Sequence, residues 1–198
     1  MLNKENLINI FVKLLEVAKL SYDDFNAADA KIGDGDLGIT ILNGLQEINL
    51  NIDKFNNDMG ANFMICSQAF VKKSGSSFGT LIAFSFMNIS KILKNKDLCR
   101  HDDIINILHV ALDTILNRGK TKLGDKTIAD TINLILQKLN DSDKVDNYID
   151  IFKSASDQAL KDFKGKKILI GRARMFEEKT KDLDDPGMFA LKKLTDAF

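Results

Sequence analysis

Proline and tryptophan are nearly missing from this sequence, and the lack of proline removes the commonest obstacle to helix formation. Pro186 is the only proline among 198 residues, and tryptophan does not occur. Because proline breaks helix interiors, a chain with a single proline is free to be helical almost throughout. The length and the 44% of hydrophobic residues suit one sizeable core, so we predict a single domain over residues 1–198.

An excess of charge and a long apolar run are also absent. Lys and Arg total 28, as do Asp and Glu, and this balance argues against binding nucleic acid through bulk positive charge. No apolar run is long enough to span a bilayer, and the first residues do not resemble a secretion signal. Cys66 and Cys99 lack a C-x-x-C spacing, so we expect two reduced thiols in a cytoplasmic protein.

Helical periodicity dominates what is present. In the first segment, the apolar residues that share one helix face are Leu7, Phe11, Leu14, Leu15 and Ala18. Eight helices are predicted, over residues 4–20, 37–50, 61–72, 78–93, 102–117, 127–139, 144–163 and from 186 or 187 to the C-terminus. Asn3 and Asp102 are the predicted N-caps of the first and fifth helices, and Gly119 is the predicted stop of the fifth. Residues 167–170 have strand propensity but no partner strand, so we predict a loop there and an all-α fold.

The stretch DAKIGDGDLGIT, residues 29–40, has the G-x-G-x-x-G spacing of a dinucleotide-binding loop but places three carboxylates in and beside it. A dinucleotide loop follows a strand, which is missing here, and the carboxylates would repel a pyrophosphate. A calcium-binding EF-hand loop is also excluded, because Ile39 stands where that loop requires glycine.

Asp29, Asp34 and Asp36 are therefore candidate metal ligands. They offer only oxygen donors, with no His or Cys nearby, which suits Mg²⁺, Ca²⁺ or Mn²⁺ rather than zinc. Mg²⁺ is usually held by a few carboxylates and by the phosphates of a nucleotide, so the acids would hold the ion and the ion the phosphates. The alternative is an exposed acidic turn in which Asp36 caps the following helix.

A second loop, KKSGSSFGT, precedes an apolar helix whose N-terminus is a natural anion site. Ser74, with Ser76 or Ser77, would add hydroxyl groups there, and Lys73 would add a positive charge. Loops rich in serine and glycine are common, so an ordinary connection between helices is the alternative for this loop taken alone.

Two later loops carry basic residues. RGKTKLGDKT, residues 118–127, mimics a P-loop, but Asp125 interrupts the motif and a helix precedes it, so a helix–helix turn capped by Asp125 is the simpler interpretation. In GRARMFEEKTKDLDDPG, residues 171–187, Arg172 can reach a phosphate as a planar fork, and the final Asp-Pro-Gly begins a helix. A plain surface connection is the alternative for the second of these.

Together, in this order and spacing, the four loops resemble those of the nucleotide-binding L subunit of dihydroxyacetone kinase. The resemblance covers residues 29–187, and DAKIGDGDLG and GDKT are its most specific parts. It implies a barrel of eight antiparallel helices with a Mg-nucleotide site at one end. It also implies that Asp29, Asp34 and Asp36 chelate two Mg²⁺ ions bridged by the phosphates of ADP or ATP.

The resemblance further assigns nucleotide contacts by position, and it assigns no catalytic residue to this chain. The implied contacts to phosphate, ribose or adenine are Leu37, Gly38, Ile39, Thr40, Lys73, Ser74, Gly75, Gly119, Ile128, Arg172, Asp185, Pro186 and Gly187. The sequence departs from the family pattern at Leu37 and Thr40, where His and Asn are typical, and at residues 71–73, which replace a glycine-rich run.

The function implied by the resemblance is that of a cytoplasmic phosphotransferase subunit that is active only with a partner. The triose would be held on a separate K subunit, while this chain presents ATP, or a retained ADP re-phosphorylated by a phosphohistidine M-type protein of the sugar phosphotransferase system. Mg²⁺, Arg172 and Lys73 or Ser74 would steady the phosphates, so catalysis would be mostly positioning and electrostatics. A nucleotide-sensing module that docks on a transcription regulator, and a kinase for another acceptor such as a fatty acid, remain alternatives. We expect no nucleic acid partner and no membrane span, and leave a homodimer open.

Overall fold

The computed structural model describes residues 1–141 and 147–198, and these are mostly helical. The α-helices in this part of the chain are α1 (Lys4–Leu20), α2 (Tyr22–Ala30), α3 (Leu37–Leu50), α4 (Met59–Lys73), α5 (Ser77–Ile92), α6 (His101–Gly119), α7 (Ile128–Asn140), α8 (Tyr148–Asp162) and α9 (Pro186–Asp196). Short 3-10 segments cover Ile52–Lys54 and Arg172–Thr180. Two-residue strands, β1 (Leu2–Asn3) and β2 (Leu98–Cys99), pair antiparallel. The predicted all-α class is confirmed.

The helices close into a ring. Each of α3 to α9 packs on the next, α1 packs on α3, and α9 returns to contact α1, while α2 lies between α3 and α9. Each helix buries one apolar stripe against its neighbours, which is how a bundle of amphipathic helices forms one core. Among the described residues, none of the helices combines the length and the apolar composition that a bilayer span requires.

Aromatic side chains fill the middle of the ring. Phe86 on α5 lies with its ring centroid 6.1 Å from that of Phe11 on α1, and 5.8 and 5.9 Å from those of Phe63 and Phe70 on α4. Tilted and edge-on pairs of this kind add about 0.5–1.5 kcal/mol each beyond the area they bury. Helix α5 therefore joins neighbours on several sides, in agreement with its nearly continuous apolar sequence.

The helix ends follow the capping residues, and at the start of α6 the cap differs from the prediction. Asn3 caps α1 as predicted, since its Oδ1 accepts the amide of Asn6 at 2.9 Å. The predicted N-cap Asp102 is wrong: Arg100 holds that position, and Asp103 Oδ2 accepts the Arg100 amide at 2.9 Å. The helix therefore begins before Asp102, which lies within its first turn.

Two other helices differ from the sequence prediction. Helix α2 was missed because its sequence is polar and only Phe25 is buried, so no apolar stripe marks it. The helix predicted over residues 144–163 is α8, capped by Asn147, whose Oδ1 accepts the amide of Ile149 at 3.0 Å. The predicted start at Lys144 lies outside the described residues. Residues 167–170 form a loop, as predicted.

Both cysteines are buried and unpaired. Burial raises the pKa of the Cys66 thiol far above its usual range, and it raises the pKa of Cys99 to about 11. Both thiols therefore keep their protons at neutral pH, and a protonated, buried thiol is a poor nucleophile.

Candidate functional site

A cleft of about 1050 Å³ lies where alternate connections of the ring meet. Alternate connections in an up-and-down arrangement of helices share one end, which explains why four loops distant in sequence come together. The sequence-predicted site residues on its walls are Asp29, Asp34, Asp36, Leu37, Gly75, Gly119, Ile128, Arg172, Asp185, Pro186 and Gly187.

The acidic loop, residues 29–36, brings its three carboxylates together. One oxygen from each of Asp29, Asp34 and Asp36 lies within 4.8 Å of the others. Burial, and then the charges of Asp34 and Asp29, raise the pKa of Asp36, whereas nearby Arg172 opposes this rise. A divalent cation would reverse this balance, because it favours the charged form of every carboxylate around it. The donor set and its spacing thus fit a hard cation.

The carboxylate of Asp36 does not cap α3. Asp36 stands at the N-cap position, but its side chain accepts no hydrogen bond from the helix. The amides of Gly38 and Ile39 instead donate to Asn26 Oδ1 on α2, at 2.7 and 3.3 Å. The acidic-turn interpretation is therefore right about the N-cap position of Asp36 but wrong about its side chain, and the carboxylate is left facing its two acidic neighbours.

Two of the glycines in this loop serve close packing. A Cβ at Gly33 would lie 2.3 Å from Asp29 Oδ1, and one at Gly38 would lie 2.3 Å from the carbonyl oxygen of Tyr22. Only glycine fits such a close approach. The Asp36 amide also donates to Asp29 Oδ2 at 3.0 Å, so the loop is folded directly around the Asp29 side chain.

The serine loop, residues 74–77, connects α4 to α5 and is bonded to α3 through Thr40. Ser76 Oγ accepts the amide of Gly79 at 3.0 Å, capping α5, and accepts the hydroxyl of Thr40 at 2.7 Å. Ser74 Oγ lies 3.2 Å from Ser76 Oγ. Gly75 lines the cleft, whereas Thr40 and Ser74 lie beneath its wall and support the cap.

Several predicted nucleotide contacts are not brought to the cleft wall. These are Gly38, Ile39, Thr40, Lys73 and Ser74. For Lys73 the reason is the buried carboxylate of Glu47, whose oxygens lie 3.7 Å from Lys73 Nζ and 2.7 Å from Lys72 Nζ. This pairing draws both lysines to the α3 side of α4.

The arginine loop, residues 165–181, forms the opposite wall. The Arg172 guanidinium pairs with the Asp34 carboxylate, and the two side chains are 59% and 50% exposed. An ion pair this exposed stabilises the fold by less than about 1 kcal/mol. Arg172 is therefore held near the acids by a contact weak enough to be exchanged for an anionic ligand.

A cationic and aromatic surface in the cleft was missed from the sequence. The Arg118 guanidinium carbon lies 3.4 Å from the Phe84 ring centroid, and Leu81 and Ile115 line the cleft beside them. Stacked planar groups of this kind suit a planar heteroaromatic ligand. Phe84 reads as one more apolar residue of α5, so no spacing signal marks it, whereas Arg118 begins a loop that the sequence did single out.

The GDKT turn, residues 124–127, is organised by capping. Thr127 Oγ1 accepts the Ala129 amide at 3.2 Å, and the Thr127 amide donates to Asp130 Oδ2 at 2.8 Å. The predicted cap Asp125 is wrong, because its carboxylate accepts from Thr121 and from the Lys122 amide within the turn. Thr127 lines the cleft.

The Asp-Pro-Gly turn begins α9 as predicted. Asp185 Oδ2 accepts the Met188 amide at 2.9 Å. Burial raises the pKa of Asp185 to about 7, although hydrogen bonds from the amides of Met188 and Gly187 and the charge of Lys126 oppose the rise. The carboxyl group is thus a helix cap whose charged form is disfavoured.

The DAK2 domain family matches residues 31–198. The chain belongs to the DAK2 domain family. The resemblance indicated by the four loops is therefore confirmed.

Individual relatives of this DAK2 chain include subunits of dihydroxyacetone kinases. The ADP-binding subunit DhaL of the PEP-dependent dihydroxyacetone kinase 1 of Listeria innocua is 29% identical over 163 residues, which cover 82% of this chain and 78% of that subunit. The ADP-binding subunit DhaL of the PTS-dependent dihydroxyacetone kinase of Lactococcus lactis is 28% identical over 162 residues, covering 80% and 77%.

A solved structure shares the fold. The dihydroxyacetone kinase of C. freundii, determined in complex with AMP-PNP and Mg²⁺, matches with a TM-score of 0.74 at 21% identity. The match covers 96% of this chain but 32% of that kinase chain, so this chain spans about a third of that protein. At this identity the likeness shows the fold alone.

Proposed function

We propose that this chain is the ADP-binding subunit of a dihydroxyacetone kinase and transfers phosphate from a bound nucleotide to a triose held on a separate K subunit. One observation carries the proposal: Arg172 faces three clustered carboxylates within one cleft. The names of the Listeria and Lactococcus relatives, each an ADP-binding kinase subunit, support it.

Asp29, Asp34 and Asp36 would hold Mg²⁺, two ions by the family resemblance. Their all-oxygen donor set and 4.8 Å spacing fit that ion, and the Asp36 carboxylate is not engaged as a helix cap. When bound, Mg²⁺ would supply neutralisation of the charge that develops on the transferred phosphoryl group.

The chain itself would bind and orient the nucleotide. Arg172 would exchange its exposed contact with Asp34 for the phosphates, as a planar fork suited to them. Phe84, Leu81 and Ile115 would exclude water from one face of the base. No side chain of the cleft need act as a base toward the triose, because the acceptor hydroxyl is brought by the partner.

The phosphate donor is proposed to be a phosphohistidine protein rather than free ATP. Relatives that match most of this chain and most of their own length are named PEP-dependent or PTS-dependent kinases. ADP would then stay in the cleft as a cofactor through successive turnovers. We place this assembly in the cytoplasm, where its phosphohistidine donor is made.

Reconstitution tests the function. The purified chain, a K-type subunit, a phosphohistidine M-type protein and dihydroxyacetone are combined, and triose phosphate is measured with each component omitted in turn. We expect product only in the complete mixture, and ADP with Mg²⁺ co-purifying with the chain. Turnover by the chain alone, or bound ADP without turnover in the complete mixture, would contradict the proposal, and the second result would indicate a nucleotide sensor.

Two finer points belong to the same experiment. Metal analysis of the ADP complex is expected to give two Mg²⁺ per chain, and light scattering decides whether the chain forms the homodimer that the sequence leaves open. A single ion per chain would contradict the stoichiometry without affecting the assignment of the three ligands.

A further inference from the structure

Lys126 in the GDKT turn is a buried lysine that does not face the cleft. It is 1% exposed. Its Nζ donates to the backbone carbonyls of Lys166, Thr180 and Lys181, at 2.9, 3.1 and 3.4 Å. An ammonium group has three donors, and here each has a carbonyl partner. All three carbonyls belong to the arginine loop.

This arrangement is costly, which indicates a specific use. Removing an ammonium group from water is unfavourable even when all its donors are bonded, and burial lowers the pKa of Lys126 while the charges of Asp184, Asp185 and Asp182 oppose that change. The Lys126 backbone also has φ 62°, a left-handed conformation that side-chain-bearing residues rarely adopt. Local chain geometry alone would favour glycine or asparagine at this position.

The three carbonyls mark the neck of the arginine loop, where its two ends meet. The Gly165 amide donates to the Lys181 carbonyl at 3.0 Å, and the Ile168 amide donates to Thr180 Oγ1 at 2.9 Å. The loop is also bonded to the GDKT turn, because the Leu169 amide donates to the Asp125 carbonyl at 3.1 Å. The neck is thus joined to itself and to the GDKT turn.

Beyond the neck, the loop has little structure of its own. Its 3-10 segment is interrupted by Glu177 at φ 43°, and Gly171 before it has φ 65°. A 3-10 helix of this length is not stable by itself. Besides the neck, the loop rests on a small apolar cluster in which Ile168 and Ala173 pack on Ile32 of the acidic loop.

We propose that Lys126 is a positioning residue that fixes the neck of the arginine loop and thereby sets Arg172 opposite the acidic loop. Lys126 contacts neither the cleft nor the carboxylates of the acidic loop, so its effect on nucleotide binding passes through the loop. The proposal rests on the proposed function for the ligand, ADP, but the anchoring itself is measurable without it.

Limited proteolysis tests the anchoring. Trypsin can cleave the loop after Arg172, Arg174 and Lys179, all exposed. Lys126→Met keeps the length of the side chain and removes its donors. Lys122→Met, at an exposed lysine two residues before the GDKT turn, is the matched control. We expect K126M to retain its helical circular dichroism and to be cleaved within the loop about tenfold faster than wild type or K122M, because local opening controls cleavage.

Binding tests the link to Arg172. Calorimetry with ADP and Mg²⁺ is expected to show about tenfold weaker binding for K126M and no loss for K122M. In the double variant K126M/R172A we expect no further loss beyond that of R172A, because two residues that act through one contact are not additive. Lys126→Gln, which retains two donors, is expected to recover part of the affinity.

The outcomes separate the two proposals. Unchanged loop cleavage in K126M, or additive losses in the double variant, would overturn the positioning role. A wild-type chain that fails to bind ADP would overturn the proposed function, and the anchoring would still be decided by cleavage. If K126M does not fold, Thr180→Val, which removes the acceptor of the Ile168 amide at the same neck, is expected to give the same accelerated cleavage, and its failure to do so would overturn the proposal.

Discussion

The acidic loop and the arginine loop face each other across the cleft, and they are built in opposite ways. The acidic loop is fixed by neighbours in sequence: Asp36 bonds to Asp29, and Asn26 accepts the first amides of α3. The arginine loop is fixed by distant residues, Lys126 at its neck and Ile32 beneath it. One wall is therefore specified locally, and the other depends on tertiary contacts.

The charged side chains of the two walls also differ in how firmly they are held. The carboxylates of Asp29 and Asp36 are partly buried in a hydrogen-bonded loop, whereas Arg172 is mostly exposed and makes one weak ion pair. A cation site benefits from fixed ligands, because a hard ion demands a defined geometry. An arginine that contacts phosphate can instead shift its side chain when the position of the phosphates changes. We therefore expect changes on the acidic wall to abolish binding and changes on the arginine wall to weaken it.

The largest effect is expected for Asp36→Asn. The amide has the same shape but no charge, so Mg²⁺ loses an anionic ligand, and ADP affinity in Mg²⁺ should fall by at least roughly 100-fold. The helical circular dichroism should not change, because Asp36 caps nothing. Titration calorimetry measures the affinity, with Asp23→Asn on the exposed face of α2 as control. An ADP affinity of D36N equal to that of wild type would show that the acidic wall does not take part in binding.

A smaller loss is expected for Arg172→Ala. Removing a charge-assisted contact to phosphate weakens binding by about 1.5–3 kcal/mol, which is roughly 10- to 100-fold. The dependence of ADP affinity on Mg²⁺ concentration should remain, since the acids are intact. Lys179→Ala, an exposed residue of the same loop that does not line the cleft, is the control. Loss of the Mg²⁺ dependence in R172A would contradict the division of roles between the two walls.

Asn26→Ala tests how the acidic wall is supported. It removes the acceptor for two amides of α3, so the free energy of unfolding should fall by about 1–2 kcal/mol, and ADP affinity should fall several-fold as the loop shifts. Asn3→Ala removes a comparable cap on α1 and should lower stability without affecting ADP. Urea unfolding and calorimetry check both. Equal ADP affinities in the two variants would refute a supporting role for Asn26.

The last prediction concerns pH-dependent stability, at the base of the arginine wall. The pKa of Asp185 is about 7 in the folded chain and about 4 when unfolded, so the folded state binds more protons between these values. Stability contributed at this site therefore falls as pH rises from about 4 to 7. Asp185→Asn keeps an oxygen for the Met188 amide and removes this dependence.

Urea unfolding without nucleotide at pH 5 and pH 8 checks this. The stability of D185N relative to wild type should increase by roughly 2–3 kcal/mol between the two pH values, since each pH unit between the two pKa values changes the stability by about 1.4 kcal/mol. Lys126 and Asp130 are the charged groups that act on Asp185, with opposite sign, and neither changes in the variant. A relative stability that does not change with pH would show that the carboxylate is already charged at pH 5.

The difference between the walls also explains how much could be predicted from sequence. Helices with strong apolar stripes, such as α3 and α9, begin and end close to the predicted residues, and the three acids lie within one short motif. Helix α2 carries no stripe and was missed, although Asp29 lies on it. The N-caps at Arg100 and Thr127 each lie among several polar residues that could hold the cap position. Hydrophobic periodicity does not decide which of these residues holds it.

The arginine loop shows where sequence reasoning ends. Arg172 was singled out by its chemistry, but the carbonyls bonded by Lys126 belong to a segment without periodicity, and nothing local marks them. The same holds for the stacking of Arg118 on Phe84, two residues on different helices. The family resemblance assigns Lys73 to phosphate by position, yet the structure places it beside Glu47, a buried acid 26 positions away that no local pattern pairs with it.

The state of the two native thiols offers a practical route to watching the cleft. Cys66 and Cys99 are enclosed and protonated at neutral pH, so a maleimide reagent should leave them untouched. A cysteine engineered at Met175, whose side chain is 71% exposed on the arginine loop, would then carry a single fluorophore or spin label without removal of either native residue. The chain is in this respect already prepared for site-specific spectroscopy.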